Sequence, residues 1–98
     1  MADYILSKKA LFDLRSIWLY TVETWSEEQA DIYYQNLIQA IETIANRPES
    51  AGHSYVEVCS GYQGCHSGTH IIFYRVLKSG KVRIIRILHE RMDFGRHL

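Results

Sequence analysis

Residues 71–88 read Ile-Ile-Phe-Tyr-Arg-Val-Leu-Lys-Ser-Gly-Lys-Val-Arg-Ile-Ile-Arg-Ile-Leu. The runs Ile71 to Val76 and Val82 to Leu88 are β-branched and aromatic, a composition that suits pleated, half-buried strands. Between them Lys78-Ser79-Gly80-Lys81 supplies a glycine for a tight turn. Two strands in a hairpin are therefore expected, and an isolated hairpin needs a further layer to be stable.

That layer lies upstream. Leu11, Leu14, Trp18, Val22 and Trp25 recur at three- and four-residue steps, which at roughly 100° per residue draws one apolar stripe. The spacing predicts a helix over residues 8–24 with Trp18 and Trp25 in the core. Ser26-Glu27-Glu28-Gln29 has the form of a capping box and predicts a second helix, with Ala30, Tyr34, Leu37, Ile41, Ile44 and Ala45 on its buried face. Pro48 stops it near Asn46. With almost no linker at Trp25-Ser26, the two helices must form a hairpin.

Two smaller segments complete the order. Tyr4-Ile5-Leu6 is a short β-prone run that ends at Ser7, a residue suited to cap a helix. Val56 and Val58 alternate with Tyr55 and Glu57 and predict a further strand. Gly61, Gly64, Ser67 and Gly68 then mark a loose connection to the hairpin. The expected fold is a single α+β domain over residues 1–98, in the order β-α-α-β-β-β: a helical hairpin laid on a small, mainly antiparallel sheet.

The formal net charge is zero, yet it is unevenly spread. Residues 1–70 hold four basic against nine acidic side chains, whereas residues 71–98 hold seven basic against two acidic. An anionic partner would be drawn to the C-terminal third. Lys8 and Lys9 fall in the first turn of the first helix, the wrong sign for its dipole, and nothing in the sequence supplies a structural reason for them. No apolar run reaches the roughly 20 residues of a membrane helix and no leader pattern is seen, so a cytoplasmic protein without membrane association is expected. Two cysteines, Cys59 and Cys65, are too few for a disulfide framework. With His53, His66 and His70 they match no familiar zinc spacing, and no metal is expected.

Several stretches resemble the ParE branch of the ParE/RelE toxin superfamily. They are Tyr4-Ile5-Leu6-Ser7, Ala10 with Asp13-Leu14-Arg15, Tyr20-Thr21, Trp25, Gln29-Ala30, Tyr33, His70 to Arg75, and Ile85-Arg86-Ile87-Leu88-His89-Glu90-Arg91-Met92-Asp93. The resemblance implies the toxin half of a type II toxin–antitoxin system, of the plasmid-stabilisation kind. Such a toxin inhibits growth by binding and poisoning DNA gyrase, and a ParD-like antitoxin neutralises it in a hetero-oligomer. It implies no cofactor and no sequence-specific nucleic-acid binding by the toxin alone.

On that reading Arg86, His89, Glu90, Arg91 and Asp93 form the target-binding tail. Arginines grip carboxylates with two hydrogen bonds each. Asp93 has a structural alternative, a pairing with Arg86 or Arg91. Phe12 and Leu19 lie off the main stripe and are the expected antitoxin contacts. The alternative drawn from the RelE branch is a ribosome-dependent mRNA endoribonuclease, with His89 as acid/base and Arg83, Arg86 and Arg91 stabilising the phosphate. Gln63 follows Gly61-Tyr62 where many of the family carry arginine, which leaves open a non-toxic member that binds its antitoxin.

Overall fold

The computed structural model describes residues 4–54 and 61–98. The chain enters through β1 (Tyr4–Leu6) and passes into α1 (Lys8–Thr24) at Ser7. Extended at Ser7, the backbone lets the hydroxyl accept from Ala10 N at 3.0 Å, which satisfies one of the free amides of the first turn. Ser26 repeats the device, accepting from Gln29 N at 3.1 Å at the head of α2 (Glu27–Asn46). Pro48 then opens a single turn, α3 (Pro48–Ala51). There follow β2 (His53–Ser54), β3 (Gln63–Ser67), β4 (His70–Val76), β5 (Val82–His89) and a last turn, α4 (Phe94–His97).

The strands form one sheet in the order β1-β5-β4-β3-β2. All neighbours are antiparallel except β1 and β5, which run parallel with Tyr4 opposite Val82 and Leu6 opposite Ile84. Between Phe73 and Tyr74 the register slips, pairing them with Arg86 and Ile84 and leaving Ile85 as the extra residue of a bulge. The slip explains the odd spacing by which Val82, Ile84 and Ile87 all join one core cluster. There they meet Ile72, Tyr74, Leu14, Leu37, Ile41 and Ile44, each buried side chain contributing about 1.5–3 kcal/mol. The Tyr74 phenol donates to Pro48 O, and burial pushes its pKa up to about 12. On the opposite face Ile71, Phe73 and Leu88 are covered by Phe94 and Leu98.

Two expectations need correction. The segment expected as a loose connection contains β3, with Gly64 buried opposite Phe73. A Cβ on Gly52 would lie 2.6 Å from Gly64 O, so close backbone approach accounts for these glycines and pairing with β4 supplies the strand. On α1 the buried row is Ala10, Asp13 and Leu14, with Ile17 packed beside it, while Leu11 is exposed and Trp25 is 74% exposed. Small Ala10 lets the helix close on the sheet, so Leu14 of the expected row stays buried while Leu11 and Trp25 at its two ends face outward. Trp18 is half-buried and donates its indole N–H to Asp31 Oδ1 at 3.0 Å, tying α1 to α2. The strand expected at Val56 and Val58 lies outside the described residues.

Candidate functional site

β1 covers the edge of β5 only as far as Ile84, and beyond it α1 takes over the exposed backbone groups. Ser7 donates its hydroxyl to Ile85 O at 2.7 Å, and Asp13 Oδ2 accepts from Ile87 N at 3.0 Å. The same carboxylate receives Arg86 Nε at 2.8 Å and Nη2 at 2.9 Å. Arg86 Nη1 then reaches His97 O of α4 at 3.3 Å. These hydrogen bonds to Asp13 hold the Arg86 pKa above its ordinary value, against desolvation. Arg86 is one of the residues expected in the target-binding tail, and its guanidinium holds α1, β5 and α4 together. Nor does Asp93 pair with Arg86 or Arg91: it caps α4, accepting from Gly95 N at 3.2 Å, and faces Arg96 at 3.7 Å.

The rest of the tail is tied down by its backbone and leaves its side chains outward. Glu90 N donates to Thr69 O and Met92 N to His89 O, both at 2.9 Å. Arg91 N donates to His89 Nδ1 at 3.2 Å, so neutral His89 carries its proton on Nε2. Glu90, Arg91, Met92 and Asp93 are exposed, with Glu90 lying 3.8 Å from His66 Nε2.

Beside this tail the helical hairpin and the ends of β4 and β5 enclose a groove of about 780 Å³. Tyr20, Trp25, Tyr33, His70, His89 and Met92 are among the residues of its wall. Tyr33 Oη lies 2.7 Å from His70 Nδ1 and accepts from Thr69 N at 3.1 Å. The turn it grips contains Gly68 at φ +61°, where an added Cβ would sit 2.6 Å from Tyr33 Oη. His70 and His89 are cross-strand partners whose rings meet edge-on at 5.4 Å. Burial first, and the neighbouring His89 second, depress the His70 pKa, while Asp13 and Glu90 pull weakly the other way.

The four residues of the ribonuclease alternative are not brought together. His89 and Arg91 adjoin, but Arg86 is bound to Asp13 and Arg83 lines a separate cavity with Lys8, Lys9 and Arg75. The Tyr33–His70 pair was missed in the sequence because α2 and β4 meet only in three dimensions. Phe12 and Leu19, the expected antitoxin contacts, are 67% and 54% exposed on α1. Seven residues apart, they lie two turns along one helical face.

Cys65 is a free thiol whose pKa is raised by burial, and Cys59 lies outside the described residues. Among the described residues no group of three or more His, Cys, Asp or Glu could hold a metal ion. No helix among them is long and apolar enough to cross a membrane.

Comparison with known proteins places this architecture. Residues 4–94 match the family described as the ParE toxin of the type II toxin–antitoxin system parDE. Toxin ParE1 of Caulobacter vibrioides is 42% identical over 98 residues, covering 100% of this chain and 99% of the relative. Toxin ParE1 of Mycobacterium tuberculosis is 38% identical over 95 residues, covering 97% and 96%. Among solved structures, a chain of the chromosomal ParDE system from P. aeruginosa superposes with a TM-score of 0.78 at 20% identity, covering 91% of this chain and 96% of that one. The toxin–antitoxin complex RelBE2 from Mycobacterium tuberculosis superposes at 0.59 and 17% identity, covering 91% and 99%. The two structural likenesses establish the fold, and the sequence match establishes the family: this chain belongs to the ParE toxins of type II toxin–antitoxin systems.

Proposed function

We propose that this chain is the growth-inhibiting half of a cytoplasmic pair, binding and poisoning DNA gyrase until a ParD-like antitoxin sequesters it in a hetero-oligomer. Family membership supports the pairing, as does the origin of both solved neighbours in toxin–antitoxin systems. The observation in the chain itself that carries the antitoxin reading is the exposed pair Phe12 and Leu19. Large apolar side chains aligned on one helical face are the footing an amphipathic helix requires.

Action on the target by binding is favoured by how the cations are disposed. With Arg86 held by Asp13 and Arg83 directed to another cavity, Arg91 is the tail arginine left beside His89. His89, Glu90, Arg91 and Asp93 then serve as a recognition surface on which Arg91 grips a carboxylate of the target.

The test is controlled induction of this chain alone in a bacterium, with thymidine and methionine incorporation followed in parallel. DNA synthesis should stop first, and purified chain should inhibit gyrase supercoiling, an effect that Arg91→Ala weakens. Protein synthesis stopping first, together with cleaved mRNA that His89→Ala abolishes, would overturn the reading.

A further inference from the structure

Lys8 and Lys9 stand in the first turn of α1, where the helix dipole disfavours cations. A second electrostatic misfit lies close by. Arg75 of β4 and Arg83 of β5 are directly opposed in the antiparallel register, and like charges so placed repel. On the other side of Arg83 its β1 partner is Ile5, which offers no carboxylate. All four cations line one open cavity of about 520 Å³, together with Tyr62.

The cavity sits toward the turn end of the β4–β5 hairpin, beyond the part of that sheet face that α4 covers. Among the described residues the ion pairs are His66 with Glu90, Arg86 with Asp13 and Arg96 with Asp93, so no carboxylate neutralises any of the four. Arg75 instead lies over the Tyr62 ring, its guanidinium carbon 5.5 Å from the centroid. That contact orients the side chain and leaves its charge in place. The chain has eleven acidic residues, as many as its lysines and arginines. Four cations converging on one cavity with no ion-pair partner among the described residues are therefore a local arrangement that a shortage of acids does not explain.

We propose that Lys8, Lys9, Arg75 and Arg83 form a cradle for the phosphates of a single-stranded polynucleotide, bound without regard to base sequence. Arginine forks suit the paired oxygens of a phosphate, and lysines act as point charges along a backbone. Tyr62 supplies an aromatic ring of the kind on which bases stack in sequence-tolerant strand binding. The positive end of α1 adds to the same potential. An acidic peptide would feel the same charges but would gain nothing from stacking on the tyrosine, so the strand is the better fit.

The experiment is fluorescence anisotropy of a labelled oligothymidylate of about 20 nucleotides titrated with the purified full chain, with neither gyrase nor antitoxin present. It therefore fails or succeeds independently of the gyrase reading. Four neutralised phosphates on a single strand give a slope of log K against log salt of about −3, and about 50-fold weaker binding on going from about 50 to about 200 mM salt. Arg75→Gln/Arg83→Gln should halve the slope and cut that loss to about sevenfold. The charge-matched Arg47→Gln/Arg96→Gln variant should retain the native slope.

Thermal melting separates loss of the site from misfolding. Removing the opposed arginines should leave the melting temperature of the free chain unchanged or raised, and the oligonucleotide should raise that of the native chain alone. Strand binding that survives the double substitution would overturn the proposal. So would equal affinity for oligoglutamate, which points to an acidic peptide, or displacement of nothing but orthophosphate, which points to a small-anion site.

Discussion

The carboxylate of Asp13 and the guanidinium of Arg86 join two parts of the chain 73 residues apart through a pair of hydrogen bonds of 2.8 and 2.9 Å. Their side chains are 8% and 14% exposed, and the carboxylate also holds Ile87 N. Removing one partner strands the other charge in a poorly hydrated place. Asp13→Ala should therefore cost about 3–5 kcal/mol in urea unfolding, and lower the melting temperature by more than about 10 °C. Asp13→Leu/Arg86→Met, which removes both charges, should recover a large part of that loss. A double variant as unstable as Asp13→Ala would mean that the pair does not act as a unit.

Tyr33 pins the turn between β3 and β4 through Thr69 N and His70 Nδ1. Tyr33→Phe should lower stability by about 1–2 kcal/mol and speed hydrogen exchange at the Thr69 amide. Gly68→Ala should cost more than about 1 kcal/mol, since it adds a Cβ in the left-handed region and against the same hydroxyl. In the combined variant the loss should fall somewhat short of the sum, because the contact with the hydroxyl disappears while the ring carbon at 2.7 Å and the left-handed backbone still oppose the new Cβ.

Acid should weaken the fold through His70. Its folded pKa lies below the ordinary 6.5, chiefly through burial, so the unfolded chain takes up a proton more readily than the native one. The stability that depends on neutral His70 is complete above about pH 6.5 and is lost as the pH falls from there through the folded pKa. His70→Asn should flatten the unfolding free energy across that window, as measured by urea titrations at successive pH values. An unchanged pH profile would assign the acid sensitivity to other groups.

Phe12→Asp and Leu19→Asp should leave the isolated chain within about 0.5 kcal/mol of native stability, since both side chains are exposed. Each should weaken binding of the cognate antitoxin by more than about tenfold in calorimetric titration. Native affinity in both variants would move the antitoxin contact elsewhere, the Tyr20 and Trp25 wall of the groove being the next surface to test.

Local signals carried much of this architecture. The spans of α1 and α2 were legible from caps, period and Pro48, and the β4–β5 hairpin from its β-branched runs and Gly80. What was hidden depends on distant neighbours. β3 has the composition of a loop and becomes a strand because Gly64 fits against Gly52 and pairs with β4. An aspartate on the buried face of α1 reads as a solvated position until Arg86 is placed beside it. For the same reason Arg86 looked available to a partner. Phe12 and Leu19 were legible as outward-facing, because a helix can bury one stripe alone.

The parallel pairing of β1 with β5 also bears on when the molecule is finished. Tyr4 to Leu6 pair with Val82 to Ile84, 78 residues further along the chain (82 − 4). During synthesis β1 has to wait, unpaired, until β5 has emerged, and closing so long a loop is slow compared with forming the helical hairpin. The late step also brings in Arg86 to lock Asp13. Closure of that sheet edge and the locking of Asp13 thus come after the helical hairpin has formed, and until then β1 and the edge of β5 stand open to other pairings.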